Sequence, residues 1–148
     1  MILVNMLKKA MKGKYVVPAF NFANFEILKG IVEACKETKS PLILQVSESA
    51  MNYFGDDLLA GIISGIRKIK LPISIHLDHG KSIQLCKDCI DEGFTSVMID
   101  ASAYSYEENI KITKEVVNYA HEKGVSVEGE LSIITTKEDY PSLIEKFI

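Results

Sequence analysis

In the stretch ISIHLDHGKS, residues 73–82, an acid and two imidazoles fall close together: His76, Asp78 and His79, in a chain that has three histidines in all. An imidazole just past a buried strand can ligate a metal ion, and a carboxylate beside it can take up and return a proton. His76 is in strand phase with Asp78, so both are expected on one face, with His76 a core histidine that orients Asp78. Asp100 and Glu130 close two later apolar runs. Carboxylates so placed can share a divalent cation or accept hydrogen bonds from loop amides, and both readings stand at this point. Asn21 and Ser47 close two earlier runs and could hold a phosphate or a hydroxyl group. His121, beside Lys123, reads as a surface residue favoured by the end of a helix.

Cys86 and Cys89 form a C-x-x-C pair inside the helical pattern SIQLCKDCIDEG, with no second pair to complete a zinc site. They read as small helix residues, with a redox or metal pair as the alternative. Cys35 makes the cysteine count odd, which suits a reduced, cytoplasmic setting. A net charge of −3 without a basic stripe argues against nucleic acid as a partner. No run approaches the ~20 apolar residues that span a bilayer, and no polybasic cluster suggests a membrane surface.

The elements that must position these groups alternate. Apolar or β-branched runs occur at residues 15–20 (YVVPAF), 41–46 (PLILQV), 71–77 (LPISIHL), 95–100 (TSVMID) and 125–131 (VSVEGEL). Helical patterns lie between them. Ile27, Ile31, Ala34 and Cys35 make one face behind Asn24 as N-cap. Leu59, Ile62, Ile63 and Ile66 follow Asp56 and Asp57. Leu85, Cys86, Cys89 and Ile90 run from Ser82 to Gly93. Ser105 and Glu108 have capping-box spacing ahead of Ile112, Val116, Val117 and Ala120, and Gly124 suits a left-handed end. An amphipathic helix around residues 5–12 is expected to close the bottom of the first strand. Repeated βα units imply a parallel sheet in a single domain, residues 1–148. A flavodoxin-like open sheet and half of a (β/α)8 barrel fit this pattern equally well. Either architecture binds ligands at the carboxyl ends of its strands, the rim where all these polar residues fall.

The succession YVVPAFNFANFE, PLILQVSESA, ISIHLDHG, TSVMIDAS and VSVEGEL resembles the class II, metal-dependent fructose-1,6-bisphosphate and tagatose-1,6-bisphosphate aldolases along residues 1 to about 139. The resemblance implies a (β/α)8 TIM barrel with only about its first five βα units present. It implies a zinc-dependent cleavage of a ketose bisphosphate into dihydroxyacetone phosphate and glyceraldehyde 3-phosphate, in which the metal polarises the ketone carbonyl. By matching, Asp78 is the acid/base at the C4 hydroxyl and His79 the first zinc histidine. Asp100 and Glu130 match carboxylates of a second or displaced metal position. Asn21 and Ser47 line the aldehyde-phosphate end, and Glu138 handles the dihydroxyacetone phosphate proton. A sugar bisphosphate is the expected partner and a homo-oligomer the expected state.

The pattern also breaks. Two further zinc histidines and the glycine-rich phosphate loops of the family have no counterpart here. After Glu130 three family glycines are replaced by Ser132, Thr135 and Thr136, and residues 132–148 form a divergent tail. These gaps predict little or no activity for the isolated chain. They leave a second expectation, a catalytically inactive remnant that acts as an oligomeric or interaction module.

Overall fold

The computed structural model describes residues 2–131. Glu138 and the rest of the tail lie outside the described residues. Five parallel strands stand in the order of the sequence: β1 (Ala19–Asn21), β2 (Leu42–Ser47), β3 (Ile73–Gly80), β4 (Ser96–Ile99) and β5 (Ser126–Gly129). The helices are α1 (Ile2–Gly13), α2 (Phe25–Thr38), α3 (Glu48–Phe54), α4 (Asp56–Arg67), α5 (Ile83–Glu92) and α6 (Tyr106–Glu122).

Side-chain alternation decides between the two architectures. Leu42, Leu44 and Val46 of β2, Ile73, Ile75 and Leu77 of β3, and Val97 and Ile99 of β4 join one core. Residues of α2, α4, α5 and α6 complete that same core: Val32, Leu59, Ile63, Cys86, Cys89, Val116 and Ala120. Those helices therefore cover one face of the sheet, whereas a doubly wound fold needs helices on both. Consecutive strand order with helices on one side is the winding of a (β/α)8 barrel. The opposite face carries Gln45, Ser74, His76, Ser96 and Glu128, a polar set that suits a barrel interior near its open end. Each fully buried Leu, Ile or Val contributes about 1.5–3 kcal/mol, so the apolar helix-facing layer drives the folding and leaves the inner face available for chemistry.

Capping follows the sequence. Asn24, Ser82 and Ser105 each accept a hydrogen bond from the backbone N–H three residues on, and Gly93 ends α5 with a positive φ of 104°. Four expectations need correction. Strand β1 begins at Ala19, because Pro18 has no N–H to give, although its carbonyl still accepts from the Ile43 amide. The buried face of α2 is Leu28, Val32 and Cys35, one residue round from the expected stripe; Ile27 and Ala34 are exposed. Helix α3, unanticipated, starts directly after β2. Helix α1 packs mainly on β3 and β5 rather than under β1, and its buried Leu3, Met6 and Ala10 stand apart from the main core.

Candidate active site

The Asp-His pair sits on an irregularity of β3. Leu77 pairs with Val97 and Gly80 with Ile99, so three steps along β3 match two along β4. That is a β-bulge, and its extra residue upsets the alternation of faces. His79 takes a left-handed backbone conformation, φ 52°, unusual for a residue with a side chain. Regular alternation would send His79 to the helix side with Ile75 and Leu77. The bulge instead turns it towards Asp100 and Glu130, which continue the inner-face phases of β4 and β5. Gly80 makes the bulge possible: a Cβ there would lie 2.7 Å from the Met98 carbonyl oxygen and from Leu77 Cδ2.

Two groups of side chains result. In the first, Asp78 accepts from Asn21 Nδ2 at 2.7 Å on one carboxylate oxygen and from Gln45 Nε2 at 3.2 Å on the other. Strands β1 and β2 thus fix the Asp78 rotamer. His76 does not orient it, contrary to expectation. The His76 Nδ1 instead meets Ser96 Oγ at 2.8 Å, and its Nε2 lies 3.6 Å from Glu128 without a hydrogen bond. Burial lowers the His76 pKa to about 4, so the ring is neutral at pH 7.

In the second group, His79 Nδ1 lies 3.1 Å from Asp100 Oδ2 and 3.6 Å from Glu130 Oε2. One ligand atom from each of His79, Asp100 and Glu130 falls within 4.8 Å of the others, the one such metal-capable trio among the described residues. The fit to a cation rests on Glu130, whose Oε2 is buried with no hydrogen-bond donor among the described residues. An acceptor left so is costly unless something positive meets it. Asp100 is well supplied: Ser102 donates its N–H at 3.2 Å and its hydroxyl at 2.6 Å to Oδ1, and Lys81 Nζ lies 2.7 Å from Oδ2. Burial pushes the Asp100 carboxyl up, but the bonds from Lys81, Ser102 and His79 outweigh it and hold it well below the usual carboxylate range. Of the two readings left open for it, Asp100 shows the loop-amide acceptor at Oδ1, while its Oδ2 faces Lys81 and His79. The trio borders a cleft of about 520 Å³ with Lys81, Ser102 and Tyr104. Asp78 is not part of that cleft's wall, although its strand phase puts it on the same inner face.

Ser47 pairs in register with Asp78, so it reaches the rim. Its hydroxyl caps α3, accepting from the Ala50 N–H at 3.3 Å, and lies 3.0 Å from Ser49 Oγ. Cys86 and Cys89 are buried and free, and burial pushes the Cys86 thiol up to about 12, which removes thiolate chemistry at neutral pH. His121 is exposed, as expected.

Two supporting residues escaped the sequence reading. Gln45 is the polar residue of the run PLILQV, in phase with Ser47. Asn109 is buried in α6 and donates to the Ala101 carbonyl at 3.0 Å and the Glu130 carbonyl at 2.6 Å, clamping the ends of β4 and β5 together. Its place in the buried stripe with Val116 and Ala120 was the signal.

Residues 2–146 match the family model described as "Fructose-bisphosphate aldolase class-II". The chain belongs to that family. The class II aldolase chain is 50% identical over 138 residues to the fructose-bisphosphate aldolase of Geobacillus stearothermophilus, covering 90% of this chain and 48% of that protein. It is 46% identical over 143 residues to the enzyme of the same name from Treponema pallidum (strain Nichols), covering 91% and 43%. Among solved structures it superposes on the YdjI aldolase from Escherichia coli K12 with a TM-score of 0.77 at 36% identity, covering 84% of this chain and 48% of that one. The chain thus spans about half the length of the relatives it matches, and its five-stranded sheet is a partial barrel of their fold.

Proposed function

We propose that this chain carries the amino-terminal part, residues 1–148, of a zinc-dependent ketose-1,6-bisphosphate aldolase. The reaction is cleavage of fructose or tagatose 1,6-bisphosphate to dihydroxyacetone phosphate and glyceraldehyde 3-phosphate. The supporting observation is the bulge at Asp78 and His79, which sets an amide-held carboxylate and a cation-ready trio side by side on one rim.

In this reading His79, Asp100 and Glu130 hold the divalent cation. Bound zinc supplies Lewis-acid polarisation of the ketone carbonyl. Asp78 accepts the proton of the C4 hydroxyl as the C3–C4 bond breaks and returns it in the condensation direction. Each of its oxygens already accepts one amide hydrogen, which locks its direction and leaves lone pairs for a substrate hydroxyl. Asn21 and Ser47 border the end that takes the aldehyde phosphate, and Glu138 serves the dihydroxyacetone phosphate proton. The protein works in the cytoplasm as a homo-oligomer. Among the described residues no helix is long and apolar enough to cross a membrane.

The test is a coupled assay of the 148-residue chain with zinc and fructose 1,6-bisphosphate. The outcome expected of the aldolase reading is EDTA-sensitive turnover, however slow, that falls by at least about 10²-fold in Asp78→Ala. A second reading, an inactive interaction module, is favoured by the edges of β1 and β5, each paired on one side only among the described residues. No turnover under any condition, together with zinc binding no tighter than a surface histidine allows, selects it.

A further inference from the structure

We propose that the Lys81 ammonium is a resident cation of the His79–Asp100–Glu130 trio, which a divalent ion must displace before it can use Asp100. This inference rests on the metal reading above. Lys81 follows Gly80 in the turn from β3 to α5, and its Nζ lies 2.7 Å from Asp100 Oδ2. The same oxygen faces His79 Nδ1 at 3.1 Å. The other Asp100 oxygen is taken by the Ser102 amide and hydroxyl. Asp100 therefore has no spare oxygen, whereas Glu130 Oε2 is buried and, among the described residues, unbonded. One carboxylate is ready for a metal ion and its neighbour is already engaged by a positive charge.

Lys81 and the trio border the same cleft, so the ammonium and an incoming ion compete for one space. The lysine side chain is 63% exposed against 10% for Asp100. It can swing into solvent without moving backbone, so the competition sets affinity rather than blocking entry. Counting only carboxylates and ammonium, the cluster carries −1 with Lys81 in place and −2 without it. A doubly charged ion is drawn more strongly to the second arrangement.

The experiment measures Zn²⁺ affinity of the full chain by competition with a chromophoric chelator. It compares wild type, Lys81→Met, Lys81→Gln as a second neutral variant, and Lys81→Arg, with circular dichroism to confirm folding. The neutral variants are expected to bind Zn²⁺ about fivefold more tightly, the scale of an exposed ion pair, while Lys81→Arg stays close to wild type. The gain should shrink at high salt, because the charge it removes is open to screening. Adding His79→Ala to Lys81→Met should abolish uptake, which ties the ion to the trio. Wild-type uptake that depends on His79 but is unchanged or weaker in both neutral variants overturns this inference alone. Absence of uptake in every variant overturns it together with the metal reading.

Discussion

His76 sits on the polar face of β3 beside Asp78 and His79, yet its chemistry is that of a buried neutral base. Its ring is 2% exposed, and burial holds its pKa at about 4 against 6.5 for a free histidine. As pH falls below about 6.5 the unfolded chain takes up this proton first. The stabilisation present at neutral pH is thus lost progressively towards pH 4, by up to about 3 kcal/mol. Urea unfolding between pH 7 and 4 should show that decline, and His76→Gln should flatten it; an unchanged slope would remove His76 as the cause. The phase linking His76 to Asp78 was legible in the alternation of ISIHLD. Its real partner was not, because Ser96 meets it only through the register of β3 on β4. Likewise the sequence places Asp78 at a strand end, but the amides that hold it come from two other strands.

Among the elements, the bulge in β3 does what neither strand nor turn does alone. It rests on the absence of a side chain at residue 80, where a Cβ would meet the backbone of β4 and Cys86 Sγ at 3.1 Å as well as Leu77. A main-chain oxygen cannot step aside cheaply. Gly80→Ala should therefore cost about 1–3 kcal/mol in chemical denaturation and weaken Zn²⁺ uptake, since His79 loses its aim. Full stability with unaltered uptake would show that the bulge can be rebuilt around a methyl group. Alternation alone assigns His79 to the helix face, so its position just past the buried strand and the resemblance, not periodicity, made it a candidate ligand. Helix α2 shows another limit. Ile27 and Ile31 are as apolar as Leu28 and Val32, and the two stripes lie side by side on the helix, so tertiary packing chose between them. Helix α4 has a single apolar stripe, and all four of its expected core residues are buried.

Over the whole molecule, the recurring βα units implied a parallel sheet, but the consecutive strand order and the placing of α2, α4, α5 and α6 on one face took the packing. The sheet ends in β1 and β5, each with a neighbour on one side only among the described residues. Phe20 of β1 is 47% exposed. Unpaired strands with exposed aromatics seek partners. The chain is expected to self-associate with rising concentration in sedimentation velocity, and Phe20→Lys should shift it towards monomer with little change in thermal stability. A monomer at every concentration in the unsubstituted chain would contradict this. The adjacency of Asp78 and His79 carries a mechanical corollary as well. Their Cα atoms are yoked by one rigid amide plane. Any tilt or slide of β3 carries both anchors together, so breathing of the barrel wall shifts residues 78 and 79 bodily while preserving the interval between their backbone positions.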